Sequence, residues 1–250
     1  MKSFLKSLGV IALAMMITAG AQAADGKQLI FGLLSVESQD NLMKRWRPVL
    51  EAMEAKTGLK VKPYFASDYA GIIEAMRFDK VDVVMYGNKS AMEAKKRAGA
   101  EVFAHMTELN GESGYWSILV THKDNDKINS LEDVLKCDKS LDFGIGDPNS
   151  TSGFLVPTTF IFAANNVQPR DCFKTVRNGG HEANLLSVAN KQVDVATANN
   201  RALYFRLKTN APEMAEKVKE IWRSPLIASD PLTWRKNLPD DVKAKVTPSS

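Results

Sequence analysis

The chain has 250 residues, of which 25% are charged, and its formal net charge is +4 at pH 7. No block of lysine and arginine dominates the sequence, which argues against nucleic acid as the main partner. The length allows one large domain or two lobes of roughly 100 residues each.

The first 23 residues have the pattern of a secretory signal peptide. Lys2 and Lys6 precede an apolar run from Leu8 to Ala19, and a small-x-small site ends at Ala23. The run is shorter than the roughly 20 residues that a membrane span requires. We therefore expect cleavage after Ala23, export to a bacterial periplasm, and a mature protein of net charge about +2 that is not embedded in the membrane.

Strands and helices alternate in the first half of the mature chain. The helix predicted at 40–58 has a plausible stop at Gly58, while Pro48 inside it predicts a kink or the true start of the helix. The other predicted elements are strands at 29–35, 59–66 and 81–87 and helices at 69–78 and 90–98.

The second half repeats this rhythm, with strands predicted at 141–146 and 193–199 and helices at 152–166 and 181–191. The alternation predicts an α/β protein with largely parallel sheets. Two long extended segments, 114–122 and 220–234, lie between and after the halves. They predict two crossover strands that form the hinge of a two-lobed clamp.

Residues 72–91 and 184–203 share a layout of apolar helix, tight turn, Val-Asp-Val strand and asparagine-bearing exit. An ordinary βαβ unit gives such a pattern. The alternative is two similar lobes, each ending a strand at a shared cleft, because ligands bind at the carboxyl ends of strands in open α/β sheets. Asn88 and Asn199 would then lie at that cleft.

Cys137 and Cys172 are the only cysteines of the chain. In an oxidising compartment an even count favours a disulfide, and two independent buried thiols are the alternative. The histidines are in separate segments and two cysteines do not make a zinc site, so we expect no metal and no cofactor.

The segment Gly146–Pro157 reads GDPNSTSGFLVP and places four small polar side chains at a predicted helix start. The first N–H groups of a helix lack intrahelical partners and attract anions. Ser150, Thr151 and Ser152 add hydroxyl donors, so the segment predicts an oxyanion site, although an ordinary N-cap needs only one such residue. Phosphate loops, dinucleotide fingerprints and nucleophile elbows are all missing from the sequence, which favours a binding protein over an enzyme.

Five ordered stretches resemble the periplasmic phosphonate-binding component of bacterial phosphonate ABC importers. They include DYAGIIEAMRFDKVDVVMYGN, GYWSILV, GDPNSTSGFLVP, GGHEANLLSVANKQVDVAT and SPLIASDPLTWRKNLP, and the likeness runs from about Leu29 to Leu238. The resemblance implies a type II periplasmic binding protein fold with two lobes. It also implies delivery of a small phosphonate or phosphorus oxyanion to an inner-membrane permease with its ATPase, without chemistry on the ligand.

The resemblance also implies a set of ligand contacts. The phosphonate group would lie against three hydroxyl residues, a tyrosine and a histidine, while a second tyrosine and an aspartate would contact the remainder of the ligand. These residues are Ser150, Thr151, Ser152, Tyr69 and His181, followed by Tyr115 and Asp230. A packed aromatic for Tyr69, a capping or surface role for His181 and an Asp-Pro turn at Asp230 are the alternatives.

Arg201 departs from the pattern of the family. Members that take an aminoalkyl phosphonate carry an acidic residue at this position, and a guanidinium would instead attract a carboxylate or phosphonate oxygen. Either Arg201 faces the site, where it could pair with Asp230, or it points to solvent and Asn199 or Asn200 lines the site. The preferred ligand, whether an acidic or amine-free phosphonate or an inorganic oxyanion such as phosphite, therefore stays open.

The predicted division is a signal peptide at 1–23, a first lobe at 24–115, a second lobe at 116–222, and a return crossover at 223–250 with a shortened end of the first lobe. Family members continue into further helices at this point. Two other functions remain open: the same fold could bind phosphite or phosphate for a signalling receptor, or could serve a periplasmic phosphoryl-transfer enzyme.

Overall fold

The computed structural model describes residues 28–107 and 111–247, so the predicted signal peptide at 1–23 lies outside the described residues. Within these ranges the chain forms two five-stranded sheets and one two-stranded ladder. Each five-stranded sheet is covered by helices and has its own apolar core, so the fold is an α/β fold with two lobes. The residue boundaries predicted for the lobes remain a prediction.

The sheet of the first lobe has the strand order β2-β1-β3-β12-β4. Helix α1 begins after the Ser38 cap, whose hydroxyl accepts from Asn41 N, ends before Gly58 at φ 68°, and runs through Pro48. Pro48 therefore does not mark the start of this helix. The elements are β1 Gln28–Leu33, α1 Gln39–Thr57, β2 Lys60–Phe65, α2 Tyr69–Arg77, β3 Val83–Met85, α3 Asn88–Ala98, β4 Glu101–His105, β12 Pro231–Trp234 and α9 Asp240–Val246.

The sheet of the second lobe has the strand order β10-β6-β9-β7-β8. Its strands are β6 Ser117–His122, β7 Asp142–Ile145, β8 Thr175–Asn178, β9 Val195–Asn199 and β10 Val218–Arg223. Its α-helices are α4 Leu131–Val134, α5 Pro169–Cys172, α6 His181–Ala189, α7 Lys208–Asn210 and α8 Pro212–Ala215. The lobe also contains wider π-type turns at Thr151–Leu155, Thr158–Phe162 and Ala202–Leu207, and a 3-10 turn at Ala163–Asn165.

The chain crosses between the lobes in two extended segments that pair with each other. β5, Gly114–Tyr115, is antiparallel to β11, Ile227–Ala228, and these strands form the hinge. The prediction of largely parallel sheets is wrong. β1 and β7 pair in parallel with their neighbours, but the crossovers bring β12 and β6 into the sheets antiparallel to the strands beside them.

The two Val-Asp-Val strands have the same hydrogen-bonding role in both lobes. Asp82 accepts a hydrogen bond from Ile30 N at 2.7 Å, and Asp82 N donates to Ile30 O at 2.9 Å. Asp194 accepts from Asp142 N at 2.7 Å and returns its own N–H to Asp142 O at 2.9 Å. The repeated sequence layout thus reflects one repeated way of joining a parallel strand to its neighbour.

The second lobe has a compact aromatic core beside a disulfide. Phe143 stacks on Phe173 with ring centroids 4.2 Å apart and meets Phe162 edge-on. Cys137 and Cys172 form the disulfide next to this cluster, which confirms the expected bridge. In the two described ranges, no helix is both long enough and apolar enough to cross a membrane.

Candidate functional site

A cavity of about 40 Å³ lies between the lobes and against the hinge. Its volume corresponds to roughly three water positions, enough for a small polar group. The lining side chains come from both lobes and from the hinge strand β5. Seven of the eight predicted site residues line it, namely Tyr69, Tyr115, Ser150, Thr151, Ser152, His181 and Asp230, and Arg201 does not.

The hydroxyl segment forms the start of the helical stretch after β7. Ser150 caps it by accepting a hydrogen bond from Gly153 N at 3.0 Å. The first bonds of the helix have i→i+5 spacing, with Leu155 N donating to Ser150 O, which makes this a π-type turn of the kind often found at functional sites. A Cβ on Gly146 would lie 2.5 Å from the backbone of Gly153, so only glycine allows β7 to approach this turn so closely.

Ser152 is almost fully buried and is held by hydrogen bonds from two neighbouring strands. Its carbonyl accepts from Ser117 Oγ at 2.6 Å, and its hydroxyl accepts from Asn199 Nδ2 at 3.3 Å. Asn199 ends β9 and lines the cavity, as expected for a residue at the carboxyl end of a strand. This framework fixes the position of the Ser152 hydroxyl.

His181 is the first residue of α6, and its imidazole is buried against the hydroxyl segment. Its Nε2 lies 3.4 Å from Ser152 Oγ, and its Nδ1 has no hydrogen-bond partner among the described residues. Burial, followed by the charge of Arg206, lowers the pKa of His181 to about 3. The neutral ring can therefore offer one N–H to an anion at neutral pH.

Tyr69 and Tyr115 bring phenol groups to the cavity from α2 and from the hinge. Burial raises the pKa of Tyr69 to about 12, against the opposing effect of the adjacent Ser150 hydroxyl. The pKa of Tyr115 is raised well above its ordinary value by burial and then by the charge of Asp230. Both phenols stay protonated and can donate to an oxyanion.

Arg201 lies at the rim of the cavity rather than inside it. Its guanidinium is 4.8 Å from the ring centroid of Tyr115, and one of its nitrogens donates to Gly114 O at 3.2 Å. Arg201 Nη1 is 4.0 Å from Asp230 Oδ2, so the cation and the carboxylate form a pair.

Three residues of the site could not be singled out from the sequence. Arg45 and Trp46 reach the cavity from α1, and Arg206 reaches it from Ala202–Leu207 in the other lobe. Trp46 belongs to the apolar face of α1, which predicts only a core position. Arg45 and Arg206 each lie on a helix of mixed composition, and no local pattern distinguishes them from solvent-exposed arginines.

The lobes contact each other directly around the cavity. Lys89 N, in the first turn of α3, donates to Thr151 Oγ1 at 2.9 Å. Glu182 of α6 accepts from Ser38 N at 2.7 Å and from Asn41 Nδ2 at 3.1 Å. The cleft is therefore closed in this structure, with hydrogen bonds from both lobes on its two sides.

This arrangement defines the class: a two-lobed periplasmic binding protein with its site in the cleft between the lobes. The sequence profile of the periplasmic phosphonate substrate-binding proteins of ABC transporters matches residues 31–248. The chain therefore belongs to this family, as its sequence motifs suggested.

Individual relatives agree with this assignment. The chain is 56% identical over 220 residues to the phosphonates-binding periplasmic protein of Escherichia coli, covering 88% of this chain and 64% of the relative. It thus spans less than two thirds of that protein's length.

Two solved structures are similar over 88% of this chain. The binding component of a phosphonate ABC transporter from Pseudomonas aeruginosa is 54% identical, with a TM-score of 0.85 and 72% of its own chain covered. A protein from Prochlorococcus marinus, solved in complex with methylphosphonate, shares 22% identity and a TM-score of 0.76 over 81% of its chain. At that identity the second likeness shows the fold alone.

Proposed function

We propose that the protein captures a phosphonate, or a related phosphorus oxyanion, in the cavity between its lobes. The observation that carries this proposal is the convergence of Ser150, Thr151 and Ser152 with two protonated tyrosines and a neutral histidine on one small cavity. All these groups can donate hydrogen bonds, and a phosphonate dianion offers only acceptors. The E. coli relative is a phosphonates-binding periplasmic protein, which supports the same ligand class.

The donors supply enough free energy without a metal or a chemical step. A hydrogen bond to a charged group contributes about 1.5–3 kcal/mol, so four or five give roughly 6–15 kcal/mol before the costs of ordering and closure. A micromolar complex requires about 8 kcal/mol. Binding and hinge closure therefore account for the site, and no catalytic role is needed.

We assign the transport role from the family. The ligand would be delivered to an inner-membrane ABC permease and its ATPase, and the protein would reach the periplasm through its cleavable signal peptide. The binding and transport proposals concern a whole protein of this family. This chain covers 64% of the E. coli relative. Closure of the cleft on binding is the conformational change that a permease would recognise.

Calorimetric titration with methylphosphonate, 2-aminoethylphosphonate, phosphonoacetate, phosphite and phosphate tests the binding proposal. We expect micromolar or tighter binding of at least one phosphonate by the wild type. A Ser150→Ala/Thr151→Ala variant should weaken it at least 100-fold, because two donors to the anion are lost. Turnover of a phosphonate ester by the purified protein would contradict the proposal.

The matched control is Thr159→Ala. Thr159 is exposed on the same helical stretch, and its hydroxyl donates to Leu155 O at 2.8 Å rather than facing the cavity. Deleting this hydroxyl should leave the affinity within twofold of the wild type. If both variants bind alike, the hydroxyl segment is only a helix cap and the proposed site is wrong.

A further inference from the structure

A second cavity, of about 310 Å³, adjoins the first at the mouth of the cleft. The two cavities share five lining residues, so a ligand whose head fills the first would extend its remainder into the second. The shared residues are Arg45, Trp46, Met85, Arg206 and Asp230. Because the inner cavity has room for little more than a phosphonate head, the outer cavity determines which tail is accepted.

Arg45 and Arg206 face this tail cavity from opposite lobes. Arg206 Nη1 is buried and has no hydrogen-bond partner among the described residues. Burial and then the charge of Arg206 lower the pKa of Arg45 to about 10, and both guanidinium groups line the inner cavity and the tail cavity. Two guanidinium groups in this position are stabilised by an anion placed between them.

Glu37 and Glu182 partly offset the positive charge at Arg45, but both carboxylates lie outside the tail cavity. Glu37 forms an ion pair with Arg45 from behind, and Glu182 is engaged by Ser38 and Asn41. Neither glutamate lines the tail cavity. Asp230 is the one carboxylate among the described residues that line it, and this carboxylate is paired with Arg201.

We propose that Arg206 and Arg45 form a tail subsite that selects phosphonates carrying a second anionic group, a carboxylate, over those carrying an ammonium group. The proposal rests on the phosphonate-binding function proposed above and names the ligand class within it. The planar guanidinium of Arg206 binds the tail carboxylate, and Arg45 supports it from the first lobe. An ammonium tail would be repelled by both cations and would compete with Arg201 for Asp230.

Calorimetric titration of the full chain with three ligands of similar size tests this subsite: phosphonoacetate, ethylphosphonate and 2-aminoethylphosphonate. We expect phosphonoacetate to bind at least tenfold more tightly than ethylphosphonate, and the amine to bind most weakly. Arg206→Gln should weaken phosphonoacetate at least tenfold more than it weakens ethylphosphonate, because Arg206 also lines the inner cavity and acts on the phosphonate head of both ligands. Arg170→Gln, an exposed arginine of α5, is the matched control and should change neither.

The outcomes separate this inference from the broader function. If ethylphosphonate binds tightly but the carboxylate gives no advantage, or if the amine is preferred, the tail subsite is wrong while the phosphonate site stands. If none of the three binds to a protein with a normal circular dichroism melt, the tail subsite is wrong, and the proposed function is overturned as well if methylphosphonate, phosphite and phosphate also fail to bind. Should Arg206→Gln fail to fold, Arg45→Gln supplies the same comparison, with the same selective loss expected for the carboxylate.

Discussion

Glu182 in α6 of the second lobe accepts a hydrogen bond from Ser38 N, the cap residue of α1 in the first lobe, at 2.7 Å. The same carboxylate accepts from Asn41 Nδ2 at 3.1 Å, while Glu182 N donates to Val36 O at 3.3 Å. One side chain thus binds the start of a helix on the opposite lobe. These bonds join the two lobes across the closed cleft.

Loss of this carboxylate should weaken ligand binding without removing any donor to the anion. In Glu182→Ala the closed state loses two charge-assisted bonds, so more of the binding free energy is spent on closure. We expect the dissociation constant of the best phosphonate to rise about 10- to 100-fold, measured by calorimetry. X-ray scattering should show a larger radius of gyration for the ligand-free variant than for the wild type.

The control for this change is Glu213→Ala. Glu213 is exposed in the first turn of α8, so it matches Glu182 in its position at a helix start, and α8 packs on α6 and α7 of its own lobe. It should leave both measurements unchanged. Equal affinities for wild type and Glu182→Ala would show that closure does not depend on this contact.

His181 should make the stability of the protein depend on pH. Its pKa is about 3 in the folded chain and ordinarily about 6.5, so the unfolded chain binds the extra proton between these values. The contribution of neutral His181 to the free energy of unfolding is therefore fully present above pH 6.5 and is lost as the pH falls toward 3. For one proton, the free energy of unfolding changes by about 1.4 kcal/mol per pH unit.

Urea unfolding at pH 7, 6 and 5 measures this effect, since most carboxylates remain ionised in that range. The free energy of unfolding of the wild type should fall as the pH is lowered, and His181→Gln should lose the part of the fall due to this residue. NMR titration gives an independent measurement. An imidazole resonance of His181 that titrates between pH 6 and 7 in the folded protein would contradict the prediction.

The disulfide should matter for stability but not for affinity. Cys137 and Cys172 are 35 residues apart in sequence, and closing a loop of this size contributes about 3–4 kcal/mol. Cys137 lies before β7 and Cys172 lies before β8, so the bridge is at the start of these two parallel strands, whereas the hydroxyl segment follows the end of β7. Cys137→Ala/Cys172→Ala should therefore lower the free energy of unfolding by that amount.

Calorimetry at a temperature where this double variant is fully folded provides the control. The dissociation constant of the best phosphonate should stay within twofold of the wild type. Treatment of the wild type with a reductant should reproduce the loss of stability seen in the variant. A large loss of affinity in a folded variant would instead show that the bridge supports the site.

The sequence predicted the parts of the site that depend on local structure. The hydroxyl segment could be found because a helix start exposes N–H groups whatever surrounds it, and Asn199 because it ends a buried strand. Arg45 and Arg206 come from helices of different lobes, and their proximity exists only once the chain has crossed the hinge and the cleft has closed. No pattern along the sequence contains that distance.

The strand directions are a second feature that could not be fully predicted from the sequence. Alternating strands and helices predicted parallel pairing, which holds for β1 with β2 and for β7 with β8. The crossover segment that contains β12 returns to the first lobe and enters its sheet antiparallel to β3 and β4. The sequence indicated the crossover, but the direction in which its strand joins the sheet is a property of the complete topology.

The two Val-Asp-Val aspartates have equivalent positions but should differ in their importance for stability. Asp82 accepts from Ile30 N and also from Arg235 Nε at 2.8 Å, and both side chains of this ion pair are largely buried. Asp82→Ala leaves a buried guanidinium without its partner, which costs about 3–5 kcal/mol. Asp194→Ala removes the bond from Asp142 N, which costs about 1–3 kcal/mol.

Urea unfolding of Asp82→Ala, Asp194→Ala and the exposed control Asp171→Ala measures this difference. The control should stay within about 0.5 kcal/mol of the wild type. The double variant Asp82→Ala/Arg235→Leu separates the two contributions of Asp82, because it removes the unpaired cation along with the carboxylate. It should recover part of the loss, and if it recovers nothing, the bond to Ile30 N rather than the ion pair holds the first sheet together.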